Sequence, residues 1–233
     1  MNVAPLAIIQ GRYASTRLPG KALIELEGKP QIRRVWEQTI EAVGAANTVI
    51  AMTATPDNNV LLEYCTKIGA LTYSWEGPDE DVLGRFYHCA HHHRWHPETI
   101  ILRVTPDDPY KSADAMVKTV LGYRLPVELG GEAFTLEQLD AAHHDNGWTF
   151  DELVDWLEEC LDDDDDPDQV AHIRKMLSRR EHLTHALFDT PPPPAPPGQV
   201  WTIDTPEDLE AVRAQMRGPK IVIQKFKNKT GYK

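Results

Sequence analysis

Short apolar runs alternate with stretches of helical periodicity through the first half of the chain, and few architectures accept that order. Leu6-Ala7-Ile8-Ile9 and Thr48-Val49-Ile50-Ala51-Met52 read as buried strands, with further strands at 71–73 and 99–104. Between them lie helical segments. In the first, 31–43, Ile32, Val35, Trp36, Ile40 and Val43 share one face. The second, 57–68, carries Asp57 as its expected N-cap and Gly69 at its end. Two more follow at 80–95 and 112–121. Alternation of this kind builds βαβ units and a mainly parallel sheet flanked by helices, the α/β class with a Rossmann-like arrangement. Such sheets bind ligands beyond the carboxyl ends of their strands. The loops at 10–21, 53–57, 74–81 and 105–109 each follow a strand and are the places to seek a site.

The second half is less regular. A strand is expected at 132–134, a helix at 136–144, a last core strand at 200–203 and a last helix at 205–216. Between them, 148–161 and 168–177 read as two helices joined by the run Asp162 to Asp166, and 191–197 is a stiff polyproline connection. The formal charge of −12 is mostly local. Eleven acids and no Lys or Arg lie in 149–171, and without them the chain is close to neutral. No acid follows Glu210, and the last fourteen residues hold five lysines. The expected organisation is one domain, 1–218, carrying an acidic helical insertion at 148–177, with a basic extension at 219–233. That extension is either a solvated tail or a partner for the acidic insertion.

A net negative chain argues against general nucleic-acid binding. No apolar run reaches the roughly 18 residues of a membrane-spanning helix. Met1-Asn2-Val3-Ala4-Pro5 lacks the basic start of a secretory signal, and Cys65, Cys89 and Cys160 form no CxxC pair. The expectation is a cytoplasmic protein with no membrane and no nucleic-acid partner.

The loop after the first strand reads Gln10-Gly11-Arg12-Tyr13-Ala14-Ser15-Thr16-Arg17-Leu18-Pro19-Gly20-Lys21. Three cations mixed with glycines and hydroxyls at a strand's carboxyl end suit a polyphosphate. Gly11 lets backbone N–H groups approach, Arg12 and Arg17 can each grip two oxygens, and Lys21 adds a point charge. The pattern is neither a Walker A loop nor a dinucleotide fingerprint, and on spacing alone a basic surface loop is an equal reading.

This loop resembles the signature of the cytidylyltransferases that make CMP-activated sugars, of the spore-coat polysaccharide biosynthesis type and related to 3-deoxy-manno-octulosonate cytidylyltransferase. Further segments are similar in the same order: Gly77-Pro78-Asp79-Glu80-Asp81-Val82-Leu83-Gly84-Arg85-Phe86-Tyr87, Arg103-Val104-Thr105-Pro106-Asp107-Asp108-Pro109, Arg180-Glu181-His182-Leu183-Thr184 and Thr202-Ile203-Asp204-Thr205-Pro206-Glu207-Asp208-Leu209. The resemblance implies a nucleotidyltransferase that moves CMP from CTP to a sugar-like acceptor and releases pyrophosphate. Arg12, Arg17 and Lys21 would hold the triphosphate, with Gln10, Gly11 and Ser15 beside them. Asp107 and Asp204 would bind Mg²⁺. Thr53, Asp81 and Arg85 would line the base pocket, and Glu132, Glu181 and His182 would face the acceptor, the last two having a structural role as an equal alternative. A homodimer is also implied.

The chemistry asks for the same residue types. Attack of a hydroxyl on the α-phosphorus, with pyrophosphate leaving, needs cations at both the α-phosphate and the leaving group. Mg²⁺ takes hard oxygens, usually one or two carboxylates with phosphate and water. Asp204 has a second reading as the N-cap of the following helix, and Asp108, before a proline, reads as a turn residue.

Two departures from the family pattern bear on the acceptor. The segment at 122–131 is short, and 148–177 is additional. An enzyme using another base, or a nucleotide-binding protein without turnover, are the competing readings. His88, His91, His92, His93 and His96 read as a polar helix surface rather than a metal site. Asp162 to Asp166 lack the glycine and closing Glu of a calcium loop.

Overall fold

The computed structural model describes residues 5–15, 17–79, 81–124, 133–143 and 202–217. The helices expected at 148–177, the polyproline segment at 191–197, the basic extension at 219–233 and residues Glu132, Glu181 and His182 all lie outside them.

The described elements are β1 (Leu6–Gln10), a small hairpin of β2 (Glu25–Leu26) and β3 (Lys29–Pro30), α1 (Gln31–Val43), β4 (Thr48–Thr53), α2 (Asn59–Lys67), β5 (Leu71–Trp75), α3 (Val82–His92), β6 (Ile100–Val104), α4 (Ala113–Arg124), β7 (Ala133–Thr135), α5 (Leu136–His143) and α6 (Pro206–Arg217). Five strands form one sheet in the order β5-β4-β1-β6-β7. β1 is central and pairs in parallel with β4 and β6, and β5 pairs in parallel with β4. Only β7, paired to β6, runs antiparallel. The mainly parallel sheet expected from the alternation is what forms.

The strand sequences explain why both faces need cover. Along β1, Ala7 and Ile9 point to one side, where Ile32 and Val35 of α1, Leu61 of α2 and Met116 of α4 pack on them. Ile8 points to the other, against Leu83 and Phe86 of α3, Phe134 of β7 and Leu139 of α5. A third, smaller cluster joins Leu26 of the hairpin to Ile203, Leu209 and Val212, which fixes α6 beside the first loop. Among the described residues no helix is long and apolar enough to cross a membrane.

Several local expectations change. Residues 56–58 form a 3₁₀ turn, so Asn58 rather than Asp57 precedes α2. Gly69, with φ of 79°, closes the chain after α2 in the left-handed region, as its position suggests. Helix α3 starts at Val82, after Asp81 has capped it by accepting the Gly84 N–H at 2.9 Å. The strand expected at 200–203 is not formed by Thr202 and Ile203, which are outside any strand. Ile203 is buried all the same, and its N–H donates to the Asp107 carbonyl at 2.9 Å. The antiparallel hairpin at 25–30, turning through Glu27 (φ 47°) and Gly28 (φ 75°), has no counterpart in the periodicity.

Candidate active site

The parallel strands bring the loops after β1, β4, β5 and β6 to one edge of the sheet, and every polar group expected to act on a nucleotide that falls within the described residues is on or next to them. The first loop is folded back on the body. Gly11 donates to the Ala51 carbonyl at 2.7 Å. A Cβ there would stand 3.1 Å from the Ile50 side chain and 3.4 Å from that carbonyl, so the close approach to β4 favours glycine. Tyr13 N–H donates to Asn58 Oδ1 at 2.8 Å, and Gly20 donates back to the Tyr13 carbonyl at 3.0 Å. Ser15 Oγ accepts from the Leu18 N–H at 3.3 Å, so this hydroxyl shapes the loop.

Lys21 is the meeting point. Its Nζ donates to Asp107 Oδ2 at 3.2 Å, Asp204 Oδ1 at 3.0 Å and the Ile203 carbonyl at 3.4 Å. The exposed Arg17 reaches the same Asp204 oxygen at 3.3 Å. Two carboxylates far apart in sequence therefore share one ammonium, with the two bonded oxygens within about 6 Å of one another. Three hard oxygens around one point suit a divalent cation such as magnesium as well as they suit an ammonium. A cleft of about 290 Å³ opens here, bordered by Gln10, Arg12, Arg17, Lys21, Asp107 and Asp204. A second hollow of about 300 Å³ is bordered by Arg12, Tyr13, Pro19 and Asp57. Ser15 borders both.

The second reading of Asp204, as a helix cap, is replaced. Thr205 Oγ1 accepts the Asp208 N–H at 3.2 Å, and Asp208 Oδ2 accepts the N–H groups of Thr205 at 2.9 Å and Asp204 at 3.1 Å. This reciprocal capping box opens α6 and leaves the Asp204 carboxylate to Lys21 and Arg17. Burial alone would raise the Asp208 pKa, but the Thr205 hydroxyl and the two backbone N–H groups outweigh it and hold the carboxyl below its usual range. Asp108 turns back on its own loop, accepting the Tyr110 N–H at 3.0 Å, and burial pushes its pKa up. Asp107, its neighbour, faces Lys21.

Thr53, Asp81 and Arg85, expected in a base pocket, border neither cavity. Thr53 and Asp81 are buried, and Arg85 is 0% exposed. Their hydrogen bonds run to structure: Asp81 caps α3, while Thr53 and Arg85 both bond Asp79. Burial lowers the Arg85 pKa, with Asp79 acting in the opposite direction. The residues that sequence reasoning left without a role are Asp79, Asn58, Arg103 and Thr105. Arg103 and Thr105 border the cleft, and their signal was the quoted segment at 103–109. The exposed histidines of α3 engage aromatic and acidic neighbours: His88 stacks on Trp75, and His91 Nε2 lies 2.7 Å from Asp140 Oδ1. Among the described residues, no three His, Cys, Asp or Glu side chains group as metal ligands.

The chain is similar to known proteins. A family profile described as cytidylyltransferase matches residues 6–124, just over half of the chain. The 3-deoxy-manno-octulosonate cytidylyltransferase of Coxiella burnetii (strain RSA 493 / Nine Mile phase I) is 26% identical over 251 residues, 89% of this chain and 97% of that protein. The enzyme of the same name from Trichlorobacter lovleyi is 54% identical over 104 residues, 45% of this chain and 38% of its own. Among solved structures, a cytidylyltransferase from Leptospira borgpetersenii superposes with a TM-score of 0.64 at 19% identity, over 92% of this chain and 87% of its own. A CMP:2-keto-3-deoxy-manno-octonic acid synthetase complexed with CTP superposes with a TM-score of 0.58 at 18% identity, over 91% and 98%. The structural likenesses establish the Rossmann-like nucleotidyltransferase fold, and with the profile match across the sheet and its first loop the chain belongs to the cytidylyltransferase family, a nucleotidyltransferase enzyme.

Proposed function

We propose that the enzyme transfers CMP from CTP to a hydroxyl of a sugar acid or similar acceptor, releasing pyrophosphate, with Mg²⁺ as cofactor. The observation that carries this reading is the convergence of Asp107 and Asp204 on Lys21, in a cleft that Arg12 and Arg17 also border. The acceptor hydroxyl releases its proton to water as its oxygen bonds the α-phosphorus, and the bond from that phosphorus to the α,β-bridging oxygen breaks, leaving its electron pair on pyrophosphate. Charge then has to be met at the α-phosphate and at the departing group. Asp107 and Asp204 would hold the cation, whose chemistry is to neutralise phosphate oxygens during transfer. Lys21 and Arg17 supply the remaining positive charge, and Arg12 offers a guanidinium that can take two phosphate oxygens at once.

The choice of acceptor rests on the relatives named as 3-deoxy-manno-octulosonate cytidylyltransferases, one of them matched over 89% of this chain. Glu132, Glu181 and His182 remain the proposed acceptor-side residues, and a homodimer the proposed assembly. The test is pyrophosphate release with each of the four nucleoside triphosphates, against a panel of sugar acids that includes 3-deoxy-manno-octulosonate, with and without Mg²⁺. Turnover is expected with CTP, a 2-keto-3-deoxy sugar acid and metal together. Preference for another base, or release that ignores the sugar acid, refutes the reading.

A further inference from the structure

Asp79 lies in the loop after β5, among none of the residues that a triphosphate site was expected to need, yet three groups converge on its carboxylate. Its Oδ2 takes Arg12 Nε at 2.6 Å. Its Oδ1 takes the Thr53 hydroxyl at 2.8 Å and Arg85 Nη1 at 3.3 Å. We propose that Asp79 is a positioning residue, which aims the Arg12 guanidinium into the cleft where the phosphate chain binds.

The geometry argues this in three steps. First, the ion pair uses Nε of Arg12, the one guanidinium nitrogen nearest the stem. The two terminal nitrogens, the fork that grips phosphate oxygens, are left for the cavities that Arg12 borders. Second, the anchors behind Asp79 are rigid. Thr53 ends the buried strand β4, and Arg85 sits on α3 with no exposed surface. Asn58, also buried, donates to the Thr53 hydroxyl at 2.8 Å and carbonyl at 3.0 Å, while its Oδ1 holds the Tyr13 N–H. One frame thus fixes the side chain of Arg12 and the backbone of the next residue. Third, a fully buried guanidinium is costly, and packing alone would place an apolar side chain there. Two of its nitrogens, Nε and Nη2, have no hydrogen-bond partner among the described residues. Its ion pair with Asp79, at 3.3 Å, fixes the direction of that carboxylate, which accounts for its presence.

Asp79 touches no substrate in this account and acts only through Arg12, and the account rests on the phosphate-binding reading of the cleft. Calorimetry with magnesium tripolyphosphate, and separately with magnesium CTP, tests it on wild type, Asp79→Asn, Arg12→Ala and the double variant. Asp79→Asn is expected to weaken tripolyphosphate binding about ten-fold, the scale of one charge-assisted contact. In the Arg12→Ala background the same change should cost less than about two-fold, because the group it aims is gone. Thr53→Val keeps the Asp79–Arg85 pair and guards against misfolding. It should weaken binding about three-fold, again only while Arg12 is present. Tighter binding by Asp79→Asn would make Asp79 a competitor of phosphate for Arg12 and overturn the proposal. So would a loss undiminished without Arg12, or an unchanged affinity. If Asp79→Asn does not fold, Thr53→Val decides by the same criterion. Binding of tripolyphosphate without binding of CTP would sink the cytidylyl-transfer reading and leave the Asp79 test intact. Failure of wild type to bind either would end both.

Discussion

Lys21 spends its charge on two carboxylates in the free protein, and that has a consequence for metal binding. Without it, Asp107 and Asp204 would repel one another in a partly sheltered cleft. A divalent cation therefore has to compete with an ammonium that already makes three contacts. A triphosphate that draws Lys21 to its own oxygens lifts this competition, so metal and CTP should bind cooperatively, each raising the other's affinity by the same factor. Lys21→Met should raise the affinity of the nucleotide-free protein for Mg²⁺ about ten-fold and lower its affinity for CTP by a similar factor. Calorimetric titration with Mg²⁺ alone decides it, since unchanged metal affinity would show that Lys21 does not compete. Asp107→Asn and Asp204→Asn should each cut turnover by at least about a hundred-fold, the loss of several kcal/mol of transition-state stabilisation. Their circular dichroism and thermal midpoints should stay near wild type; a collapsed midpoint would reassign the pair to structure. Arg12, Lys21, Asp107 and Asp204 were legible in the sequence because each stands in a quoted motif beside a strand end or a helix start. Asn58 was not, and Asp79, although it stands in the segment 77–87, carried no sign of its partner. Their partners, Arg12 and Tyr13, lie in a different loop, and pairing across the sheet edge leaves no trace in spacing.

At the scale of elements, the position of Asp204 depends on how α6 begins. Thr205 and Asp208 close a capping box, and Pro206 at the first helical position fixes Thr205 as the cap. The same carboxylate of Asp208 holds the Asp204 N–H, so the cap and the proposed metal ligand are one unit. Asp208→Ala should cost about 1 kcal/mol of stability at neutral pH and weaken CTP binding through Asp204. The pH dependence follows from the depressed Asp208 pKa. The contribution is complete above the ordinary carboxylate value of about 3.9 and is lost as pH falls through the lower folded value. Urea unfolding of wild type and variant should therefore differ at pH 7 and converge in acid; a gap that does not narrow as pH falls would contradict the assignment. The sequence signal here was sound but off by one residue; before α2 the expected cap by Asp57 is replaced by a 3₁₀ turn, and Asn58 turns its side chain to Tyr13 and Thr53. Ser, Thr, Asp and Asn all cap, and neighbouring candidates differ only in which backbone N–H they reach. The apolar run at 200–203 suggested a strand because burial and strand pairing produce the same local composition. Ile203 is buried, yet its N–H serves the Asp107 carbonyl. The hairpin at 25–30 escaped because strands of two residues have no period to detect.

For the whole molecule, the sheet among the described residues is built from segments that the alternating pattern marks. The clusters on either side of β1 draw on β1, β4, β6, β7 and α1 through α5, and the third cluster ties α6 to the hairpin. The acidic segment at 149–171 carries eleven carboxylates and no Lys or Arg to pair them locally, and its Asp run at 162–166 cannot contribute to a core. We therefore propose that 148–177 is an insertion that the domain does not need in order to fold. Replacing residues 149–177 by a short Gly/Ser bridge should leave one cooperative urea transition, with the midpoint shifted by no more than the modest entropy of shortening a loop. The net charge would rise from −12 towards neutrality, because the deleted stretch carries most of the excess acid. Solubility of the deletion variant should consequently fall near neutral pH and recover in a buffer away from its new isoelectric point. Low solubility at one pH alone is thus the expected cost of lost charge. Loss of the cooperative transition at every pH would instead place the acidic segment inside the folding unit.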